Sequence, residues 1–219
     1  MNGRMPALRM PMALLVLAGF SVGLSLACGG RGESTPVAAG PIADVYAAGY
    51  EDNGRNMVAT VWKNGVPISL TDGTMAASAQ TLAFSGTDVY VAGEEGLWPR
   101  MVAKVWKNGV PTALTDGTKG AGVNAIVISG SDLYVAGYES NWTMGVAKIW
   151  KNGVPLSLTD GTKDAFATAL AISGSDVFAV GLEQGVPQRV VKVWKNGVPT
   201  SLTDGSKNAW VSAIQVNVH

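Results

Sequence analysis

From residue 124 to 159 the hydrophobic positions arrive in four short runs: NAIVISG (124–130), DLYVAGY (132–138), GVAKIWK (145–151) and VPLSLT (154–159). β-branched and aromatic residues fill these runs, and Gly, Asn, Asp and Pro punctuate them. That pattern predicts strands separated by tight turns. No segment carries a helical apolar stripe of useful length. Between the last two runs stands Asn152-Gly153, whose residues tolerate the positive φ of a type I′ hairpin. One unit is therefore four antiparallel strands.

The unit recurs every 44 residues. VWKNGVP at 61–67 returns almost unchanged at 105–111, 149–155 and 193–199. The same spacing separates Asp44, Asp88, Asp132 and Asp176, and likewise Gly49, Gly93, Gly137 and Gly181. It also separates Glu51, Glu95, Glu139 and Glu183, and the series Asp72, Asp116, Asp160 and Asp204. Four strands in about 44 residues is the size of a propeller blade. The expected fold is all-β, a four-bladed β-propeller. WKNGVP is then the hairpin between the third and fourth strands, and Trp62, Trp106, Trp150 and Trp194 pack between blades as core.

The ends of the repeat suggest how such a ring would shut. The first unit begins at its second strand, DVYAAGY (44–50), and a solitary first strand, AIQVNV (213–218), stands at the other end. Residues 43–218 make 176 positions, four units of 44. The expectation is a closed monomeric ring in which strand 213–218 pairs with 44–50, leaving no open edge. The alternative is that two chains join into an eight-bladed ring.

The phrase AISGSDVFAVG (171–181) resembles the first two strands of bacterial β-propeller repeats of the SBBP, NHL and kelch-like kinds. With DVYVAGYE-type strands, AKVWKNGVP and LTDGT, the whole unit over 43–218 is similar to repeats of bacterial propeller lipoproteins. The resemblance implies an envelope or secreted protein and assigns no activity. A sialidase-type Asp-box does not fit, since Asp72 and Gly73 are adjacent.

Ahead of the repeat, Arg4 and Arg9 precede the apolar stretch MALLVLAGFSVGLSLA (12–27), the layout of a secretory signal peptide. Ser25-Leu26-Ala27-Cys28 resembles a lipobox, with the chain's only cysteine as the lipidated residue. The other reading is ordinary cleavage nearby, with Cys28 removed or left as an odd thiol. Residues 28–42 then form a lipidated tether, rich in Gly, Ser, Thr, Pro and Ala, and 43–219 the propeller domain. Gly29 after the cysteine favours an outer-membrane anchor in a two-membrane host. The expected location is thus the bacterial cell envelope, or the exterior if the protein is secreted, with membrane contact through the anchor alone.

Composition removes several function classes. Without Arg4 and Arg9 the chain carries 14 basic and 16 acidic side chains, a net −2, which gives no case for nucleic acid. The 47% of hydrophobic residues suffices for a core. His219 is the only histidine, so His-based triads and multi-His metal sites are set aside. No phosphate-binding or dinucleotide-binding motif occurs in its required context, and neither cofactor nor metal is expected. Carboxylates remain the plausible catalytic groups. The repeated Asp residues stand in turns, where Asp usually bonds its own local backbone.

Alternating strand direction sorts the loops between two faces. One face carries the nearly invariant SGSD and KNG turns. The other carries DNGRN (52–56), GLWPR (96–100), SNWTM (140–144) and QGVPQ (184–188), together with Ser78, Gly122, Phe166 and Trp210 in the inter-blade loops. Recognition normally lives on variable loops of a rigid scaffold. The candidate ligand-binding residues are Arg55, Trp98, Arg100, Trp142, Met144, Phe166 and Trp210, and the expected function is a binding scaffold for a protein or glycan. The competing readings are a purely structural envelope protein and a carbohydrate-active enzyme using Glu94, Glu95 or Glu139 as acid and base.

Overall fold

The computed structural model describes residues 43–217. The signal segment, Cys28, the tether and Val218-His219 lie outside the described residues. The described chain is all-β, with four antiparallel sheets in sequence order. Sheet 1 holds β1 (Tyr46–Asp52), β2 (Met57–Lys63) and β3 (Val66–Ser69). Sheet 2 holds β4 (Ala77–Ser85), β5 (Asp88–Leu97), β6 (Arg100–Lys107) and β7 (Val110–Ala113). Sheet 3 holds β8 (Ala121–Ser129), β9 (Asp132–Ser140), β10 (Gly145–Lys151) and β11 (Val154–Ser157). Sheet 4 holds β12 (Ala165–Ser173), β13 (Asp176–Glu183), β14 (Val190–Lys195) and β15 (Val198–Ser201).

Each hairpin between the third and fourth strands turns on Asn-Gly with both φ angles positive, 50–53° at Asn and 80–84° at Gly. That is the type I′ geometry expected of the pair. The Asn side chain does a second job. Its amide donates to the Asp of the neighbouring turn at 2.7–2.8 Å, and its oxygen accepts the next residue's backbone N–H. The adjacent Lys pairs with the same Asp at 2.7–2.8 Å and lies over the ring of Tyr46, Tyr90, Tyr134 or Phe178. Asp44, Asp88, Asp132 and Asp176 therefore bind the neighbouring hairpin rather than their own backbone. Asp72, Asp116, Asp160 and Asp204 do make the expected local turns, accepting the N–H two residues on at 2.9 Å.

Packing joins each sheet to the next. Trp106 sits with Ala59, Val61, Ala77 and Val91 between sheets 1 and 2. Trp150 occupies the same place between sheets 2 and 3, and Trp194 between sheets 3 and 4. All three are fully buried. The alanines facing these rings leave room for them, so the large and small residues alternate across the interface. Trp62 departs from the core expectation and is only half-buried, because no sheet precedes sheet 1 among the described residues.

The expected closure is not formed. Residues 213–217 belong to no strand, sheet 1 has three strands, and the β1 edge has no partner among the described residues. Among the described residues the packing that joins successive sheets has no counterpart of similar extent between sheet 4 and sheet 1. Four sheets stacked in this way leave the first and last faces without each other.

Candidate binding face

Hydrogen bonds between loops confirm the sorting into two faces. The invariant SGSD and KNG turns are tied to one another by the Asp–Asn and Asp–Lys pairs. On the opposite face, the loop between a sheet's second and third strands is tied to the connection leaving that sheet. Asn53 donates to the Gly73 carbonyl at 3.2 Å, and Asn141 donates to the Gly161 carbonyl at 2.8 Å.

Those two asparagines frame their loops in the same way. Asn53 Oδ1 accepts the N–H groups of Arg55 and Asn56 at 2.9 and 2.8 Å. Asn141 Oδ1 accepts those of Thr143 and Met144 at 3.2 and 2.8 Å, and the Thr143 hydroxyl at 2.9 Å. A side chain that replaces backbone turn bonds in this way stiffens the loop. Sheets 2 and 4 carry Trp98-Pro99 and Val186-Pro187 at the corresponding place instead.

The tips hold most of the expected residues. Trp98 and Trp142 occupy equivalent positions on consecutive sheets, 70% and 60% exposed. Neither is a floppy side chain on a loose loop. Trp98 lies against Gly120, where an added Cβ would come within 3.1 Å of its ring. Trp142 has φ 85° on the loop that Asn141 holds, and its N–H donates to the Ser140 hydroxyl at 2.9 Å. Arg55, Arg100 and Met144 are exposed beside these tips. Trp98 and Arg100 line an open depression of about 510 Å³ together with Met75, Leu97, Glu95 and Asp116.

Phe166 and Trp210 stand elsewhere. Phe166 is not in an inter-blade loop but inside β12, opposite Leu182, because the first strand of each sheet starts earlier than the turn residues suggest. Trp210 stacks obliquely on it, with ring centroids 6.0 Å apart, and the Arg189 guanidinium lies 5.7 Å from the Phe166 ring. Arg189 follows the variable QGVPQ stretch rather than standing within it, so its place in the sequence carries no sign of this contact.

No protein-family model matches this chain. A search of curated proteins likewise found no significant relative.

The repeated glutamates have a structural partner. Glu95 and Glu139 are ion-paired with Lys104 and Lys148 on the adjacent strand, and Glu183 with Lys192 at 2.7 Å. In sheet 1 Thr60 stands where the other sheets have that lysine; it is fully buried, its hydroxyl donated to the Val58 carbonyl at 2.9 Å, and Glu51 is exposed. Glu94 differs from all of them. It is buried, and it accepts from the Ser78 hydroxyl at 2.8 Å and the Gln80 amide at 2.7 Å through one oxygen. Its second oxygen is buried without a hydrogen-bond partner. Burial pushes its carboxyl above the ordinary glutamate range, against the pull of Gln80, Ser78 and the nearby Val123 backbone N–H. Burial, and after it the charges of Glu94 and Asp164, raises the Tyr138 hydroxyl. Among the described residues no cluster of acidic, His or Cys side chains is arranged to hold a metal ion.

Proposed function

We propose that the four sheets are propeller-type blades and that the chain is a binding scaffold, recognising a glycan or protein surface through the face that carries Trp98 and Trp142. The observation that carries this reading is the pair of exposed indoles at equivalent tips of consecutive sheets, each on a loop fixed by its own hydrogen bonds or packing. Exposed aromatics of this size are costly on a surface without a use. A rigid indole loses little entropy when a flat sugar face or an apolar side chain settles on it. Arg55 and Arg100 supply donors at the rim for hydroxyl or carboxylate groups. The opposite face, clamped at every turn, supplies the rigidity that such a site needs.

The test is the double variant Trp98→Ala, Trp142→Ala, assayed against an array of glycans and against envelope proteins, beside thermal melting. Expected is a loss of retention by at least roughly tenfold with the melting temperature unchanged, since both rings are at the surface. Retention equal to that of the parent would remove the indoles from any binding role. A lowered melting temperature would make them part of the fold.

A further inference from the structure

Three interfaces between successive sheets show what such an interface contains. The following sheet contributes a Trp: Trp106, Trp150 or Trp194. The preceding sheet contributes the Leu just after its last strand, and Leu70, Leu114 and Leu158 belong to the same three clusters. The following sheet also lays its first strand across the preceding sheet, so that Ala121, Val123 and Ile126 cover Ala103 and Val105. Within each sheet that first strand bulges, and its carbonyl is driven against a glycine of the second strand. A Cβ on Gly93, Gly137 or Gly181 would collide with the carbonyl oxygen of Ser78, Gly122 or Phe166.

The chain holds one further copy of each half, and the two halves do not meet. Sheet 1 offers the half-buried Trp62 and the edge of β1, which is unpaired among the described residues. Gly49 stands there in the glycine position, yet a Cβ on it would meet only the Trp62 ring, at 3.1 Å, and no carbonyl. Sheet 4 offers Leu202, which is 57% exposed where Leu158 is 6% exposed. Leu202 lines a depression of about 660 Å³ with Ser201, Asp204, Lys207 and Ala209. Beyond it runs the segment 208–217, outside any strand. Its Ala209, Val211, Ile214 and Val216 are half-buried, at the positions that β8 and β12 use to cover the sheet before them. Trp210 already stacks on Phe166. The segment thus takes the place of a first strand on sheet 4 and has no second strand beside it.

We infer that the missing second strand is β1 of a second copy of this chain. Residues 209–217 of one copy pair antiparallel with 44–51 of the next, in the register of the other three sheets. Trp210 then stands opposite Tyr50, Val211 opposite Gly49 and Ile214 opposite Ala47. The Trp210 carbonyl fills the space that Gly49 leaves open. The exposed rings of Trp210 and Tyr50 cover each other, and Trp62 enters the depression at Leu202. Two copies joined head to tail satisfy both ends of both chains and close a ring of eight sheets. Pairing of this kind removes the free strand edge that otherwise invites uncontrolled addition. The inference concerns the two ends of the stack and stands or falls apart from the binding face.

The full chain, held in mild detergent so that its N-terminal segment does not drive association, is measured by light scattering. Expected is twice the mass of one chain. Gly49→Ala blocks one half of the interface and Ala213→Pro the other, and each is expected to weaken association by at least roughly thirtyfold. Their far-ultraviolet circular dichroism should stay close to that of the parent, because neither residue lies in an interface inside the chain. Mixing the two variants leaves one intact interface per pair, so partial recovery of the dimer is expected. A parent that is monomeric at all concentrations overturns the inference. So does a dimer indifferent to both substitutions, and so does a mixture no more associated than either variant alone.

Discussion

Glu94 is the residue where the fold works against a charge. A carboxylate buried with one oxygen unpartnered is stabilised by protonation, which is why burial raises its titration above the usual range. The sign of the pH dependence follows. Between the ordinary and the raised value the folded chain holds more protons than the unfolded one, so this group's contribution falls as pH rises through that window. Glu94→Gln removes the charge while keeping an oxygen for Ser78 and Gln80. The expected result is a higher melting temperature at pH 7, with no gain below the ordinary glutamate range, read from melts across pH 3–8. A variant less stable than the parent at pH 7 would show that the ionised form is wanted. The turn aspartates have the opposite sign. Hydrogen bonds from Lys107 and Asn108 hold Asp88 below its usual range, and its contribution is lost only as pH falls through that lowered value. Because Asp88 is exposed, that contribution is small.

At the scale of the elements, the glycine at the centre of each second strand sets how closely the first strand can approach. Gly137→Ala would force its methyl onto the Gly122 carbonyl, a backbone group that cannot step aside. A loss of about 3 kcal/mol or more is expected in denaturant unfolding. Gly49→Ala, at the same position two repeat units earlier, should cost the isolated chain far less. Equal losses at the two sites would mean that the first strand does not press on the second. The repeat, the strands and the Asn-Gly hairpins were legible in the sequence because each rests on local chemistry. The Asp–Asn bond was not, since it joins residues 20 apart whose distance depends on the twist of a finished sheet. The strand position of Phe166 was missed for a related reason: the bulge in β12 between Ala167 and Ala169 leaves no mark in the alternation. Closure by 213–218 followed from counting units, but counting says nothing of the angle between successive sheets. That angle decides whether the last one returns to the first.

Seen whole, the stack has one face clamped by Asp, Lys and Asn at every turn and another whose loops come in two designs. Sheets 1 and 3 use an asparagine frame, Asn53 and Asn141, while sheets 2 and 4 use a proline after the tip, Pro99 and Pro187. The core therefore repeats every 44 residues, but the variable face repeats every 88. In the asparagine design the loop is held by Asn53 or Asn141, by the Asp52 or Ser140 side chain just before it and, in sheet 1, by Asn56 bonded to the Gly73 and Thr74 carbonyls. The tip residues, Gly54-Arg55 or Trp142-Thr143, contribute only their N–H groups and the Thr143 hydroxyl. The tips are thus interchangeable parts in a common socket. Exchanging 53–56 with 141–144 should carry the indole of Trp142 from sheet 3 to sheet 1 with the melting temperature kept to within a few degrees, whereas exchanging either with 97–100 should not. The molecule can in this way be re-addressed by moving four residues, with no change to the part of it that folds.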